Sequence, residues 1–356
     1  MKRLIYITIL SILLPLGCSK PTPAPAPAPE QYDRYIFFSH GVETKASLIE
    51  SAANLDGKAF GVVGFKYDFD KTWETEKATA TPNVFADTPE TVDVSADGTN
   101  TTSYTPLQGW ANTKKYTFFA YYPVGNTAVR LADSANGSDY TGGAPAIKYT
   151  MNPASSETFA ASMIDVMTAT AHKDQYWKSA ADNSVTNGEI GFAFTHCLSC
   201  LGLNLKNSTG GDITVNSVTF NLTGLQNQSI IIPLDGSAKT YGGPAFDIAY
   251  ELAVGQGGIA VPSVTKDTDG VEATDKLILI PQATDLTFTL TVGYTRSLAG
   301  YDDNATSFTT SALTTALTEG KKHIVSLNFT DSTVEVDGEV SEEGWIEIPD
   351  VNSSFK

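Results

Sequence analysis

Leu286-Thr287-Phe288-Thr289-Leu290-Thr291-Val292-Gly293-Tyr294 alternates large apolar residues with polar or small ones over its whole length. A period of two is typical of a β-strand with one buried face. The preceding run, Lys276-Leu277-Ile278-Leu279-Ile280-Pro281, is short, continuously apolar and closed by a proline, which also favours a strand. These are the plainest strands of the chain, and they predict β-structure for its C-terminal half.

The remainder of the sequence has the same character. Thr, Ser, Gly, Asn and Asp crowd between short apolar runs, and helical periodicity is nearly absent. With 356 residues, 41% of them hydrophobic, the chain has room for two domains with cores of their own. The sequence therefore predicts an all-β protein of two tandem β-sandwiches. The boundary is expected at the loop 174–188, between residues 35–188 and residues 189–356.

Two further runs refine the predicted strands. Tyr116–Pro123 carries apolar residues at both parities, which indicates a strand that is bulged or buried on both faces. From Phe192 to Cys200 the even-numbered residues form one apolar face, and from Leu201 onward the odd-numbered ones do. A β-bulge near Gly202 would explain that change of phase.

The first residues indicate export. Residues 1–17 combine a positive start, an apolar run too short to span a bilayer, and a glycine before Cys18. This pattern resembles a bacterial lipoprotein signal peptide, which implies a lipid on Cys18 and an outer-membrane location. The alternative is a plain secretory signal with an incidental cysteine. Residues 18–34 form a Pro/Ala-rich spacer, which is expected to be extended polyproline II.

Composition and spacing argue against several functions. Charged residues make up 18% of the chain and the net charge is -17, so a nucleic-acid partner is not expected. The four histidines are scattered, and His196 has no accompanying triad motif, so no catalytic or metal site is predicted and His196 is interpreted as a strand histidine. The acidic segments 133–139 and 267–272 hint at calcium but lack the EF-hand pattern, and solvated turns are the simpler interpretation. No cofactor is expected.

Cys197 and Cys200 lie within a predicted strand. Residues three apart on a strand are about 10 Å apart and on opposite faces, whereas a disulfide needs less than about 7 Å. No second CxxC is present to complete a zinc site. The two residues are therefore predicted to be buried free thiols.

Directly after the spacer stands a short apolar strand, Tyr35-Ile36-Phe37-Phe38. Alternation places Ile36 and Phe38 on one face and Tyr35 and Phe37 on the other. The chain ends with a second apolar set in residues 333–356, which comprises Val334, Val336, Trp345, Ile346 and Ile348.

Five elements, in order, resemble those of the fimbrillins, the type V pilus subunits of Bacteroidetes. They are Trp110 with Tyr116–Pro123, Met163–Ala169, Phe194–Ser199, Leu279–Gln282 and Gly320–Val325. The resemblance implies Greek-key, transthyretin-like topology for the two β-sandwiches. It also implies a non-enzymatic subunit of a surface fimbria that supports adhesion and biofilm formation. Its partners would be other fimbrial subunits, outer-membrane lipid before processing, and ligands on host or bacterial surfaces.

The family also implies a mechanism. A protease removes the first strand, here residues 35–45 with Ile36 and Phe38, and a terminal strand of another subunit fills the groove. The C-terminal set named above is the implied donor. In the family an arginine precedes the cut in a Thr-Arg-Ala context, whereas this chain has Thr44-Lys45-Ala46. Cleavage is therefore expected between Lys45 and Ala46, with the bond between Arg34 and Tyr35 as the alternative.

The lysine leaves the role of the subunit open. A protease that accepts Lys45 would make this chain a polymerising stalk subunit, whereas an uncut chain would be a lipid-retaining anchor or a tip. A different class of function is a surface lipoprotein that binds glycans by stacking sugars on Trp73 or Trp177, both of which fall in predicted loops.

Overall fold

The computed structural model describes residues 34–41, 55–97, 101–263, 270–297, 306–331, 333–336 and 340–345. The predicted signal peptide and spacer up to residue 33, the cleavage position at Lys45 and Ala46, and the donor residues Ile346 and Ile348 lie outside these ranges. Within them, no helix has the length and apolar content needed to cross a bilayer.

The regular elements of the described residues are almost all strands, which confirms the all-β prediction. The first half of the chain forms β1 (Phe37–Gly41), β2 (Ala59–Asp68), β3 (Glu90–Val94), β4 (Thr102–Ser103), β5 (Lys114–Tyr122), β6 (Val129–Asp133), β7 (Pro145–Thr150), β8 (Met167–Ala169), β9 (His172–Gln175), β10 (Trp177–Ser179), β11 (Asp182–Asn183) and β12 (Glu189–His196), with two short helices, α1 (Trp73–Glu76) and α2 (Ser156–Ser162).

In the second half, the regular elements of the ranges that the structure describes are strands. They are β13 (Ser199–Asn207), β14 (Asp212–Leu225), β15 (Ser229–Pro233), β16 (Thr240–Gly242), β17 (Phe246–Glu251), β18 (Ile259–Val261), β19 (Val271–Glu272), β20 (Leu277–Leu279), β21 (Leu286–Ser297), β22 (Thr306–Thr309), β23 (Leu313–Thr315), β24 (Lys321–Phe329), β25 (Val334–Val336) and β26 (Ser341–Gly344).

The first sheet has the strand order β1-β12-β8-β5-β2-β3-β4, with β9 also paired to β5. Its central strand β5 is buried on both faces, as the apolar residues at both parities indicate. Tyr116, Phe118 and Ala120 belong to one core, which we call the aromatic core. Phe119 and Tyr121 belong to a second, larger core on the opposite face.

The larger core joins the first sheet to the others. The four-stranded sheet β16-β15-β7-β6 contributes Ile147, Tyr149 and Ile230 to it. Two six-stranded sheets complete the fold, one ordered β19-β13-β24-β25 with β20 and β26 attached, the other β17-β14-β21-β22 with β18 and β23 attached. Apolar side chains of β13 and of β14 share the same core, so these two sheets pack against each other.

The chain passes from the first sheet to the next at a later residue than the predicted domain boundary at residue 188. Strand β12 begins at Glu189 yet pairs with β1 and β8 in the first sheet, so the first sheet extends to His196. The chain then enters another sheet, because β13 pairs with β20 and β24. The predicted bulge near Gly202 is wrong, since β13 pairs with β24 in unbroken register from Cys200 to Asn207. The change of phase occurs at Cys197 and Leu198, where the chain leaves one sheet for the next.

Two shorter predictions also change. Only Met167–Ala169 of the predicted strand 163–169 forms a strand, because α2 continues to Ser162 and Met163 is its C-cap. The predicted loop 174–188 contains the two-stranded sheet β10-β11.

Candidate functional site

The site is the seat of the first strand. Ile36 and Phe38 are buried, with 0% and 3% of their surface exposed, whereas Tyr35 and Phe37 are 46% and 40% exposed. This is the alternation that the sequence indicates. The inward pair fills the aromatic core, and the outward pair faces solvent.

Phe38 lies among four aromatic rings. Its ring centroid is 5.4 Å from that of Tyr104, 5.6 Å from Phe118, 5.6 Å from Phe192 and 6.1 Å from Phe85. Pairs at these spacings add stabilisation beyond the burial of their area. The seat of the first strand is therefore lined by aromatic rings, and Phe38 packs among them beside Ile36.

The backbone on the two edges of β1 has different hydrogen-bond partners. One edge pairs in parallel with β12, from Phe37 opposite Glu189 to Gly41 opposite Ala193. On the other edge, the Tyr104 hydroxyl donates to the carbonyl oxygen of Ile36 at 2.9 Å, and the Thr102 hydroxyl donates to that of Phe38. Two side-chain hydroxyls thus stand where a second backbone ladder would otherwise run.

The chain just before β1 is held as firmly. The carbonyl oxygen of Arg34 accepts from the Trp110 amide at 2.9 Å, and the Ile36 amide donates to the carbonyl oxygen of Gln108 at 2.8 Å. The Arg34 Nε donates to the carbonyl oxygen of Asn187 at 2.6 Å, and its guanidinium carbon lies 5.7 Å from the Trp177 ring centroid. The bond after Arg34 is thus fixed in structure, unlike the exposed loop tips that proteases prefer.

The far end of β1 carries a polar residue in an apolar place. His40 is buried against the Phe60 ring at 6.1 Å, and neither of its ring nitrogens has a hydrogen-bond partner. Burial lowers the pKa of His40, and the nearby Asp56 carboxylate opposes that shift by raising it. The imidazole is therefore held neutral by its surroundings.

Acidification is expected to weaken the folded chain through His40. The pKa of His40 in the folded chain lies below its ordinary value of 6.5. The stability that depends on a neutral His40 is therefore fully present above pH 6.5 and is lost as the pH falls through the folded-state pKa. Chemical unfolding of the full chain at intervals from about pH 8 to about pH 5 measures this slope. His40→Leu should flatten it, whereas equal slopes for both chains would contradict the assignment; buried His323, whose pKa burial also lowers, remains as background in both.

The C-terminal segment is packed on its own chain. Strands β25 and β26 both pair antiparallel with β24, and Val334 and Trp345 are buried at 2% and 4% exposure. Val336 is partly buried. Of the predicted donor residues that the structure describes, Val334 and Val336 therefore lie in β25, and Trp345 is buried directly after β26.

Trp345 links this segment to the first half of the chain. Its ring is stacked on that of His196 with centroids 4.1 Å apart and planes 6° apart. His196 Nδ1 lies 2.9 Å from the Asp165 carboxylate, and both residues are buried. His196 is thus a partnered strand histidine, as predicted, and it forms the platform for the tryptophan.

Ion pairs hold the same segment from the other side. Lys322 Nζ lies 2.9 Å from the Glu343 carboxylate on β26 and 2.6 Å from Glu272 on β19. Lys276 Nζ joins the group at 3.0 Å from Glu272. Partly exposed pairs are individually weak, but a network of this kind orients β26 along β24.

Other predicted residues have structural roles. Cys197 and Cys200 are buried free thiols, as predicted, and burial raises the pKa of the Cys197 thiol to about 11. Trp73 is wholly buried between the Phe65 and Phe119 rings, so the interpretation of Trp73 as an exposed sugar platform is wrong. Trp73 is the first residue of α1 and does not lie in a loop. Its side chain packs this helix against the larger core.

The carboxylates of the acidic segment 133–139 interact with neighbouring residues of the same hairpin. The Asp133 carboxylate accepts from the Ala135 amide at 2.9 Å, and Asp139 pairs with Arg130 at 2.6 Å. Across the described ranges, no group of three or more His, Cys, Asp or Glu side chains is placed to hold a metal ion.

Several residues of the seat escaped the sequence analysis. Thr102 and Tyr104 lie in a polar stretch of the sequence, and nothing in its pattern marks their hydroxyls as partners of Ile36 and Phe38. The carbonyl oxygen of Asn187 that accepts the hydrogen bond from Arg34 is a backbone group, so the side chains of the sequence do not predict this contact.

A family model described as fimbrillin-like matches residues 54–345. A fimbrial protein from Bacteroides vulgatus has a similar solved structure, with a TM-score of 0.60, 18% identity, and coverage of 88% of this chain and 100% of that one. A protein from Bacteroides ovatus described as a cell adhesion protein gives a TM-score of 0.51 at 17% identity, covering 90% of this chain and 100% of that one. No curated protein sequence matches.

Proposed function

The chain belongs to the fimbrillin-like family, and on that premise we propose that it is a structural subunit of a cell-surface fimbria, assembled by exchange of its first strand. One observation carries the proposal. The first strand fills an aromatic cavity through Ile36 and Phe38, and its one continuous backbone ladder among the described residues is that of β1 with β12, preceded by a single bridge between Tyr35 and Gly109. Such a strand can leave as a unit and be replaced by another of matching pattern.

Removal of the strand supplies the driving force. Withdrawal of Ile36 and Phe38 uncovers apolar surface worth about 1.5–3 kcal/mol for each side chain. It also leaves the edge of β12 and the hydroxyls of Thr102 and Tyr104 without their partners. A new strand restores all three sets of contacts, and its main chain fixes the direction of assembly.

The cut is proposed between Lys45 and Ala46, after export of a precursor anchored in the outer membrane through Cys18. The contacts of Arg34 support this choice over the alternative cut before Tyr35. A protease must draw an extended segment into its own cleft, and residues 34–36 are held by backbone hydrogen bonds to Trp110 and Gln108.

The packing of the C-terminal segment supports a shorter donor strand than residues 333–356. Val334 and Val336 belong to the sheet of β24 and Trp345 directly follows β26, so using them as a donor would require β25 and β26 to leave that sheet. We therefore propose that donation to another subunit begins beyond Trp345, with Ile346 and Ile348 as its alternating apolar pair.

A second role, as lipid-retaining anchor or tip, is supported by the lysine at the expected cleavage position and by the completeness of the present seat. An uncut chain keeps its own strand and closes the site to a partner.

The two roles predict different N-termini for the protein sheared from cells. We expect mass spectrometry of surface fibres to give a start at Ala46, because only that cut discards β1. A lipidated Cys18 would instead establish the anchor or tip role. A start at Tyr35 would contradict the protected state of the Arg34 bond.

A further inference from the structure

We propose that the emptied groove of this subunit selects a strand with a cation at the place of Arg34 and large apolar residues two and four positions later. We further propose that a different subunit, not this chain's own C-terminal segment, supplies that strand. The inference rests on the proposed function and names the chemistry of its partner.

The seat for the cation remains when the first strand leaves. Its parts are the carbonyl oxygen of Asn187, 2.6 Å from the Arg34 Nε, and the Trp177 ring, 5.7 Å from the guanidinium carbon. Neither belongs to the removed segment. Once Arg34 has departed, an accepting carbonyl and the face of an indole are left facing the same place.

The backbone around this seat is built to hold the carbonyl in position. Asn187 and Gly188 have positive φ values of 53° and 74°. A Cβ on Gly188 would lie 2.7 Å from the Arg34 side chain, so only glycine lets the arginine approach. The Trp110 indole donates to the Gly188 carbonyl oxygen at 3.0 Å and fixes this turn directly before β12.

A cation fits these groups better than a neutral side chain does. Guanidinium groups combine planar N–H donors with a face that stacks on aromatic rings, and the negative face of an indole attracts either an arginine or a lysine. A hydrogen bond with a charged donor is also stronger than a neutral one. The first strand therefore uses at Arg34 a contact that adds selectivity to the apolar contacts of Ile36 and Phe38.

The spacing of the three residues is fixed by the backbone contacts. The hydroxyls of Tyr104 and Thr102 hold the carbonyls of Ile36 and Phe38, and the ladder with β12 sets the register. Because side chains alternate along a strand, a donor displaced by one residue would turn its apolar pair outward. The groove thus specifies a cation, an apolar residue and a second apolar residue at alternate positions, in a strand parallel to β12.

This chain's own C-terminal segment does not carry that pattern. Residues 333–356 contain a single cationic residue, Lys356, which is the last residue of the chain. If Ile346 and Ile348 occupied the places of Ile36 and Phe38, Gly344 would stand at the place of Arg34. The seat would remain unfilled, so a homotypic contact is weaker than one with a subunit that offers the cation.

A displacement assay on the full chain tests this selectivity. The chain carries the recognition sequence of a site-specific protease at residues 43–48, is cut in place, and is mixed with peptides that compete for the seat of the first strand. Retention of the cut N-terminal segment is followed by size exclusion and intact mass. The peptides are residues 34–41, the same with Arg34→Gln, the same with Tyr35→Ser, residues 340–356, and that tail with Gly344→Arg.

We expect Arg34→Gln to weaken displacement about tenfold, the loss of roughly one charge-assisted hydrogen bond. Tyr35→Ser is the matched control, because Tyr35 faces solvent, and should change displacement by less than about twofold. Gly344→Arg should improve the tail peptide by about tenfold. Equal displacement by the native and Arg34→Gln peptides would overturn the inference and leave strand exchange intact. Failure of the native peptide to displace the cut segment would overturn strand exchange itself, and the selectivity with it.

Discussion

Phe38→Ala is expected to lower the free energy of unfolding of the full chain by about 3–5 kcal/mol, the range for truncating a buried phenylalanine. The side chain is 3% exposed and lies among four aromatic rings. Alanine would leave a cavity there, since those rings belong to four different segments and cannot all close upon the space. The same cavity is the one that strand removal opens.

The neighbouring residue provides the control. Phe37 is 40% exposed, so Phe37→Ala should change the free energy by less than about 0.5 kcal/mol although the chemistry of the substitution is identical. Denaturant unfolding of both variants, with limited proteolysis of β1, measures the difference. Similar losses for the two variants would show that the strand is not seated in the orientation described.

The second large effect is expected at the opposite end of the chain. Trp345→Ala should cost about 3–5 kcal/mol, because it removes a buried indole that stacks on His196 and uncovers the His196–Asp165 pair. Since β26 ends directly before Trp345, the loss should also loosen that strand from β24.

Hydrogen exchange of the β24 amides, together with denaturant unfolding, checks this expectation. Trp345→Phe keeps an aromatic ring over His196 and should retain most of the stability, whereas a Trp345→Ala chain as stable as the parent would mean that the tail is not held by this contact. A packed tail up to Trp345 is also the basis of the proposal that donation begins beyond it.

Local patterns predicted the parts of the fold that depend on one strand at a time. The alternation of Ile36 and Phe38 and the two-sided burial of β5 follow from side-chain parity alone, because parity is a property of the strand itself. The transition from β12 to β13 was missed for a related reason. Both strands are buried, so the apolar pattern continues through Cys197 and Leu198 although the chain changes sheets.

The seat of the first strand was predictable only in part. The apolar side chains of the first strand are visible in the sequence. Its hydrogen-bond partners are the hydroxyls of Tyr104 and Thr102 and the carbonyl oxygen of Asn187, all far away along the chain. Contacts of this kind depend on tertiary placement, which single-strand periodicity does not encode. Trp73 illustrates the same limit, since a short polar segment places it in a loop while its ring lies in the core.

The pairing of β1 with β12 joins residues that are distant in sequence, Phe37 and Glu189 among them, while residues 42–58 connect β1 directly to β2. The first strand is thus a tethered competitor for its own groove. A short tether gives such a strand an effective concentration of roughly millimolar, about a thousandfold above a free strand at micromolar concentration. Until the tether is cut, strands of other subunits are outcompeted even where they fit equally well. The cleavage proposed at Lys45 would therefore act first by lowering the local concentration of the strand, because it would leave every contact of the seated strand in place.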